Sequence, residues 1–134
     1  MKSFLILWLI TFASAAALRA QDLAYHVFLK VMYVKFDVDH ISVDSLSKLM
    51  MSESVMVLDT RSKVEYEVSH IQGARWTDFD IFDSTMIKDI PKTAHIITYC
   101  SVGYRSSVIA EKLKDMGYQN VHNLFGGIFE WVNR

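Results

Sequence analysis

One cysteine stands among 134 residues, in the segment Tyr99-Cys100-Ser101-Val102-Gly103-Tyr104-Arg105-Ser106-Ser107. A β-like run, Ala94-His95-Ile96-Ile97-Thr98-Tyr99, leads into it, and a helix-like stretch from Ser106 to Met116 leaves it. A strand that turns into a helix N-terminus delivers a side chain into unpaired backbone N–H groups. Those donors and the helix dipole favour an anion, so a thiol held there is expected to become a thiolate. Arg105 adds a planar, charged donor fork suited to an oxyanion. The bland alternative is a small buried hydrophobe at a strand end. The Gly103 and Arg105 context favours an activated sulfur nucleophile that faces an anionic substrate.

The surrounding elements must position that thiol. Val55-Met56-Val57-Leu58 and His95 to Tyr99 are nearly continuous apolar runs, as expected for strands buried on both faces of a parallel sheet. A short helix near Lys63 to Tyr66 and a strand at Ala74-Arg75-Trp76 lie between them. Ile109, Leu113 and Met116 mark the buried face of the helix after Cys100, and Gly117 is its natural stop. A strand over 120–124 and a last helix from Gly127 follow. Upstream, the spacing predicts helices over Ser42–Met51 and over Asp22–Tyr33, the latter capped by Asp22 with Leu23, Val27 and Val31 on one face packed on the domain. Val34 to His40 is read as a connection. Strands alternating with helices argue for an α/β layer fold.

The cysteine segment resembles the active-site loop of the rhodanese family, in which a cysteine opens a six-residue loop and accepts sulfur as a persulfide. Three more stretches match in order. Val57-Leu58-Asp59-Thr60-Arg61 with Glu65-Tyr66 is similar to the family's first signature. Ser69-His70-Ile71-Gln72-Gly73-Ala74 resembles its His-Ile-x-Gly-Ala turn, with Ser69 where glycine is usual. The run from Val121 to Trp131 resembles its closing strand, Gly-Gly turn and helix. The likeness covers roughly residues 41–133. It implies a three-layer α/β fold, with a central, mostly parallel sheet covered by helices on both faces and an extra N-terminal helix ahead of it.

The resemblance implies a sulfurtransferase. The Cys100 thiolate would take the outer sulfur of an anionic donor such as thiosulfate, and a thiol or cyanide acceptor would remove it. N–H groups from Ser101, Val102, Gly103, Tyr104 and Ser106 would cradle the persulfide, and Arg105 would orient the donor. Gly103 is expected to permit the turn, and Ser106 and Ser107 are read as either helix caps or substrate contacts. Asp59 and Arg61 stand at a strand end, where a loop-holding ion-pair network with Glu65 is favoured over ligand contact. His70 reads as a hydrogen-bonded turn residue. Trp76, Phe79, Phe82 and Tyr104 are either pocket walls or core. The alternatives are a non-catalytic rhodanese-like binding module and, less favoured, a cysteine phosphatase or arsenate reductase, whose loops are one residue longer.

Composition narrows the partners. Lys2 and the apolar run Phe4 to Leu18, followed by small residues, read as a signal peptide over 1–20, ahead of a helical extension over 21–40 and a rhodanese domain over 41–134. Fifteen helical residues span about 22 Å, short of the roughly 30 Å of a bilayer core, so export to the periplasm or exterior is favoured over a lasting anchor. Of 14 Lys+Arg, Lys2 and Arg19 fall in the leader, leaving 12 against 15 Asp+Glu. With no basic cluster, nucleic acid is not an expected partner. A lone cysteine forms no disulfide within the chain, so stability must come from packing. The histidines at 26, 40, 70, 95 and 122 lack metal-ligand spacing, and neither a metal nor a cofactor is expected.

Overall fold

Val57, Ile97 and Tyr99 join one buried cluster, while Leu58, Ile96 and Val121 join another on the opposite face of their strands. That alternation follows from the two-residue period of a strand. The computed structural model describes residues 2–52 and 54–134, with side chains from residue 16 onward. In chain order the elements are α1 (Lys2–Tyr33), β1 (Asp39–Ile41), α2 (Val43–Ser52), β2 (Val55–Asp59), α3 (Lys63–Val68), β3 (Arg75–Trp76), a 3₁₀ turn (Ser84–Ile87), β4 (His95–Tyr99), α4 (Tyr104–Asp115), β5 (Asn120–Leu124) and α5 (Gly127–Val132).

The five strands form one sheet in the order β1-β5-β4-β2-β3, and every pairing is parallel. On one face Ile109, Ala110 and Leu113 of α4 cluster with Leu58, Ile96 and Val121. On the other, Val43 and Leu46 of α2 and Ile128 of α5 cluster with Val57, Ile97 and Leu124. The central strands are therefore covered on both sides, which is why their sequences are nearly unbroken apolar runs. This is the three-layer α/β arrangement expected from the sequence. Strand β1 lies in a segment read as a plain connection. Three residues give no periodic signal, and they become a strand only by pairing with His122, Asn123 and Leu124.

The chain divides into two compact units, Met1–Met32 and Tyr33–Arg134. In the first unit α1 runs unbroken through Asp22, which is an interior helical residue rather than the expected N-cap. Ala15 to Gln21 are strong helix formers, and no glycine or proline interrupts them. The expected apolar face of Leu23, Val27 and Val31 is exposed, at 66%, 51% and 69%. Much of the apolar run read as a leader lies outside the residues whose side chains are described. Among the described residues, no helix is long and apolar enough to cross a membrane.

The second unit carries the sheet and the cysteine loop. Because β2, β4 and β5 run side by side in one direction, their C-terminal ends converge where Cys100 leaves β4. Ligand sites in open parallel sheets lie at such ends.

Candidate active site

Cys100 follows directly on Tyr99, the last residue of β4, and is 1% exposed. Its Sγ accepts a hydrogen bond from the Gly103 N–H at 3.1 Å. Gly103 makes that turn at φ 97°, a left-handed conformation that side chains disfavour, and serves as the N-cap of α4. The sulfur thus sits at a helix N-terminus with a backbone donor aimed at it, as the sequence implied. Cys100 and Ser101 carbonyls accept from the N–H groups of Ile128 and Phe129, at 2.9 and 3.2 Å. The loop is therefore laid directly on the start of α5. A Cβ on Gly127 would overlap the Cys100 carbonyl oxygen and lie 2.7 Å from that of Ser101. Only glycine fits there.

Helix α4 begins at Tyr104, two residues before the stretch read from the sequence, so Ser106 and Ser107 are inside its first turns and do not cap it. The Ser107 hydroxyl instead donates to the Gly103 carbonyl at 2.7 Å, and Asn123 Nδ2 donates to the same carbonyl at 3.0 Å. Thr98 Oγ1 donates to the Ser106 carbonyl at 3.0 Å. Ser106 is fully buried, and its Oγ has no hydrogen-bond partner. Tyr104 is 40% exposed, with its hydroxyl accepting from Lys35 at 2.9 Å and its ring meeting Phe36 edge-on.

Arg105 is held by a residue the sequence reading assigned elsewhere. Its guanidinium donates twice to Glu65, at 2.8 and 3.0 Å, and once to Ser101 Oγ at 3.1 Å. Ser101 Oγ in turn donates to Glu65 at 3.2 Å. Glu65 also accepts from the N–H and hydroxyl of Ser62, completing the capping box of α3. The hydrogen bonds from Arg105, and then those from Ser62, hold the Glu65 carboxyl well below the usual carboxylate range against the opposing effect of burial. The Glu65 hydrogen bond likewise holds Arg105 above the usual arginine range, with smaller contributions from Cys100. Glu65 thus does not join Asp59 and Arg61 as expected. Arg61 precedes the first turn of α3, so the helical i, i+4 geometry with Glu65 is not available to it.

Asp59 and Arg61 form a buried pair by themselves, 0% and 5% exposed. Arg61 donates to Asp59 through Nε at 3.0 Å and Nη2 at 2.6 Å, and to the Ser69 carbonyl at 2.6 Å. Burial disfavours the Arg61 charge, but the bonds and attraction to Asp59 prevail and keep its pKa above the usual range. The Tyr99 hydroxyl donates to Asp59 at 2.5 Å and accepts from the Ile71 N–H at 3.1 Å. Burial, followed by the Asp59 bond, raises the Tyr99 pKa. The Tyr99 carbonyl accepts from the Thr60 N–H and hydroxyl at 2.9 and 3.1 Å. This network fixes the residue immediately before Cys100.

The remaining aromatic and histidine residues divide between turn and core. His70 Nδ1 lies 2.9 Å from the Tyr66 carbonyl, and its ring stacks on Tyr66. Trp76 Nε1 donates to the Arg61 carbonyl at 3.0 Å, while Phe79 and Phe82 pack against the α4 side of the core. Among the described residues, no three His, Cys, Asp or Glu side chains are grouped for a metal ion.

Comparison with known proteins adds the family. A model of the rhodanese-like domain matches residues 42–134. The chain belongs to the rhodanese-like domain family. The crystal structure of the BH2092 protein from Bacillus halodurans is similar at a TM-score of 0.66 and 25% identity, covering 84% of this chain and 81% of that one. A tRNA uridine(34) hydroxylase of Shouchella clausii is 32% identical over 94 residues, which are 66% of this chain and 29% of that protein. The adenylyltransferase and sulfurtransferase uba4 of Ogataea parapolymorpha is 26% identical over 87 residues, 65% of this chain and 22% of that protein. The chain spans less than a third of the length of these curated relatives. Sulfur transfer or a related rhodanese activity is what such kinship makes plausible.

Proposed function

We propose that this rhodanese-like chain is a sulfurtransferase that carries sulfane sulfur on Cys100. One observation carries the reading: the Gly103 N–H is aimed at the sulfur of the chain's single cysteine, at the N-terminus of α4. A backbone donor there stabilises negative charge on either the thiolate or a terminal persulfide sulfur. The kinship with a protein named as a sulfurtransferase supports it.

In the proposed cycle the Cys100 thiolate attacks the outer sulfur of thiosulfate. A new S–S bond forms, the old one breaks, and sulfite departs with its electron pair. The loop N–H groups of Ser101, Val102, Gly103, Tyr104 and Ser106 cradle the resulting anionic persulfide. Cyanide or a thiolate then attacks the outer sulfur, and the bonding electrons return to Cys100 as thiolate. Arg105 orients the donor and stabilises charge on the departing sulfite. Because Glu65 already engages the Arg105 fork, the donor must share or displace that carboxylate.

The chain should transfer sulfur from thiosulfate to cyanide and gain the mass of one sulfur atom on Cys100 when incubated with donor alone. Cys100→Ser should abolish both. Full turnover in the serine variant removes Cys100 as nucleophile, and no adduct with any sulfane donor leaves a binding module. We propose further that residues 1–20 are removed on export. N-terminal sequencing of extracytoplasmic material tests this, and recovery only as a membrane-extracted chain starting at Met1 overturns it.

A further inference from the structure

A residue upstream of the family match reaches the sulfur loop. Tyr33 is the last residue of α1 and the first of the second unit, and it is 5% exposed. Its hydroxyl donates to the Val102 carbonyl and accepts from the Gly126 N–H at 3.0 Å. Its ring stacks on His40, with centroids 4.2 Å apart, and meets the edge of Phe125 at 5.6 Å.

The Val102 carbonyl and the Gly103 N–H belong to one peptide plane. That bond is trans, so the two groups point in opposite directions. One end is held by Tyr33 and the other donates to Cys100 Sγ. We propose that Tyr33 is a positioning residue that sets the orientation of this peptide and so aims the Gly103 donor at the nucleophile. The proposal rests on the reading of Cys100 as the reacting sulfur.

Two further features give Tyr33 this leverage. Glycine tolerates both signs of φ, so the peptide before Gly103 has no side chain of its own to stop it from flipping. A flip would turn the Val102 carbonyl toward the sulfur and replace a donor with an acceptor, which disfavours an anion there. The next peptide is already anchored, since the Gly103 carbonyl accepts from the Ser107 N–H, the Ser107 hydroxyl and Asn123 Nδ2. Tyr33 supplies the missing anchor on the other side. Its bulk also requires glycine at 103, because a Cβ there would overlap the Tyr33 hydroxyl and lie 2.8 Å from its Cζ.

The test uses the full chain and Tyr33→Phe, which keeps the ring and removes the hydroxyl. Three readouts are taken: the pH profile of Cys100 alkylation by a neutral reagent, hydrogen exchange of the Gly103 amide, and steady-state sulfur transfer. The alkylation profile should move to higher pH by at least about half a unit. Gly103 exchange should quicken at least tenfold while the Val57 and Ile97 amides keep their wild-type rates. Sulfur transfer should fall mainly in kcat. An unchanged alkylation profile together with unchanged Gly103 exchange overturns the proposal. The wild type supplies a check independent of the variant's folding: a slowly exchanging Tyr33 hydroxyl proton with cross-peaks to Val102 or Gly103. Its absence also overturns the proposal. Absence of sulfur transfer in the wild type defeats the proposed function, yet leaves the alkylation, exchange and hydroxyl readouts intact.

Discussion

Arg105 and Glu65, forty positions apart, form a two-bond ion pair whose arginine also donates to Ser101 of the Cys100 loop. The pair joins α3 to the first turn of α4, and it places a carboxylate where an anionic donor would seek the guanidinium. Glu65 should therefore weaken donor binding while it steadies the loop.

Glu65→Gln keeps a side chain that can cap α3 but removes the competing charge. The thiosulfate KM should fall several-fold, and stability should drop by about 1 kcal/mol, the scale of an exposed to half-buried pair. Steady-state kinetics and urea unfolding check the two effects. A higher KM would mean that Glu65 holds Arg105 in its working position.

The same carboxylate sets an acid response. Its folded pKa lies below the unfolded value of about 4.3. On acidification the unfolded chain binds the proton first, so stability is full above that value and is lost as pH falls below it. Urea midpoints between pH 7 and pH 3 should decline more steeply at the acid end for the wild type than for Glu65→Gln.

Replacing Arg105 should impair anionic donors in proportion to the geometry lost. Arg105→Lys keeps a charge without the planar fork and should raise the donor KM while retaining turnover. Arg105→Ala should cost on the order of 2–4 kcal/mol in kcat/KM. Unchanged thiosulfate kinetics in the alanine variant would show that Arg105 does not meet the donor.

Asp59→Asn should be severe through loss of stability. It leaves the buried Arg61 guanidinium without its counter-charge, and removing one partner of such a pair costs about 3–5 kcal/mol. Denaturant unfolding measures it. A loss below 1 kcal/mol would show that the Ser69 carbonyl suffices as Arg61's partner.

Gly127→Ala should destabilise the chain by at least about 1–3 kcal/mol through overpacking against the Cys100 carbonyl. It should also slow Cys100 alkylation. Gly73→Ala is the control, since it too has positive φ but no atom lies within 4 Å of the added Cβ. Equal effects would attribute both losses to backbone conformation alone.

The sequence disclosed what short-range pattern determines. The apolar runs of β2 and β4 and the cysteine at a strand-to-helix turn are local signals, and each matches its element in the structure. Asp22 misled because a capping residue cannot end a helix whose upstream residues are themselves good formers. Ser106 and Ser107 misled because the positive φ of Gly103 starts α4 at Tyr104 and carries both serines inside. The partners of Arg105 and of the Val102 carbonyl were illegible for a different reason. Several carboxylates and tyrosines were available, and only the tertiary fold selects Glu65 and Tyr33.

The backbone bonds from Ile128 and Phe129 to the Cys100 loop carry a consequence for the order of assembly. Strand β5 lies between β1 and β4, so the last strand in sequence occupies an interior position of the sheet. Pairings so distant along the chain form late, after the loop-closure entropy has been overcome. A growing chain that has reached residue 115 already contains Cys100 and all of α4, but still lacks the Ile128 and Phe129 N–H groups that hold the Cys100 and Ser101 carbonyls. Its cysteine loop should reach its final setting only once residues 120–129 dock. On the proposed function, reactivity at Cys100 should therefore arrive at the close of folding, and the thiol should report that the fold is complete.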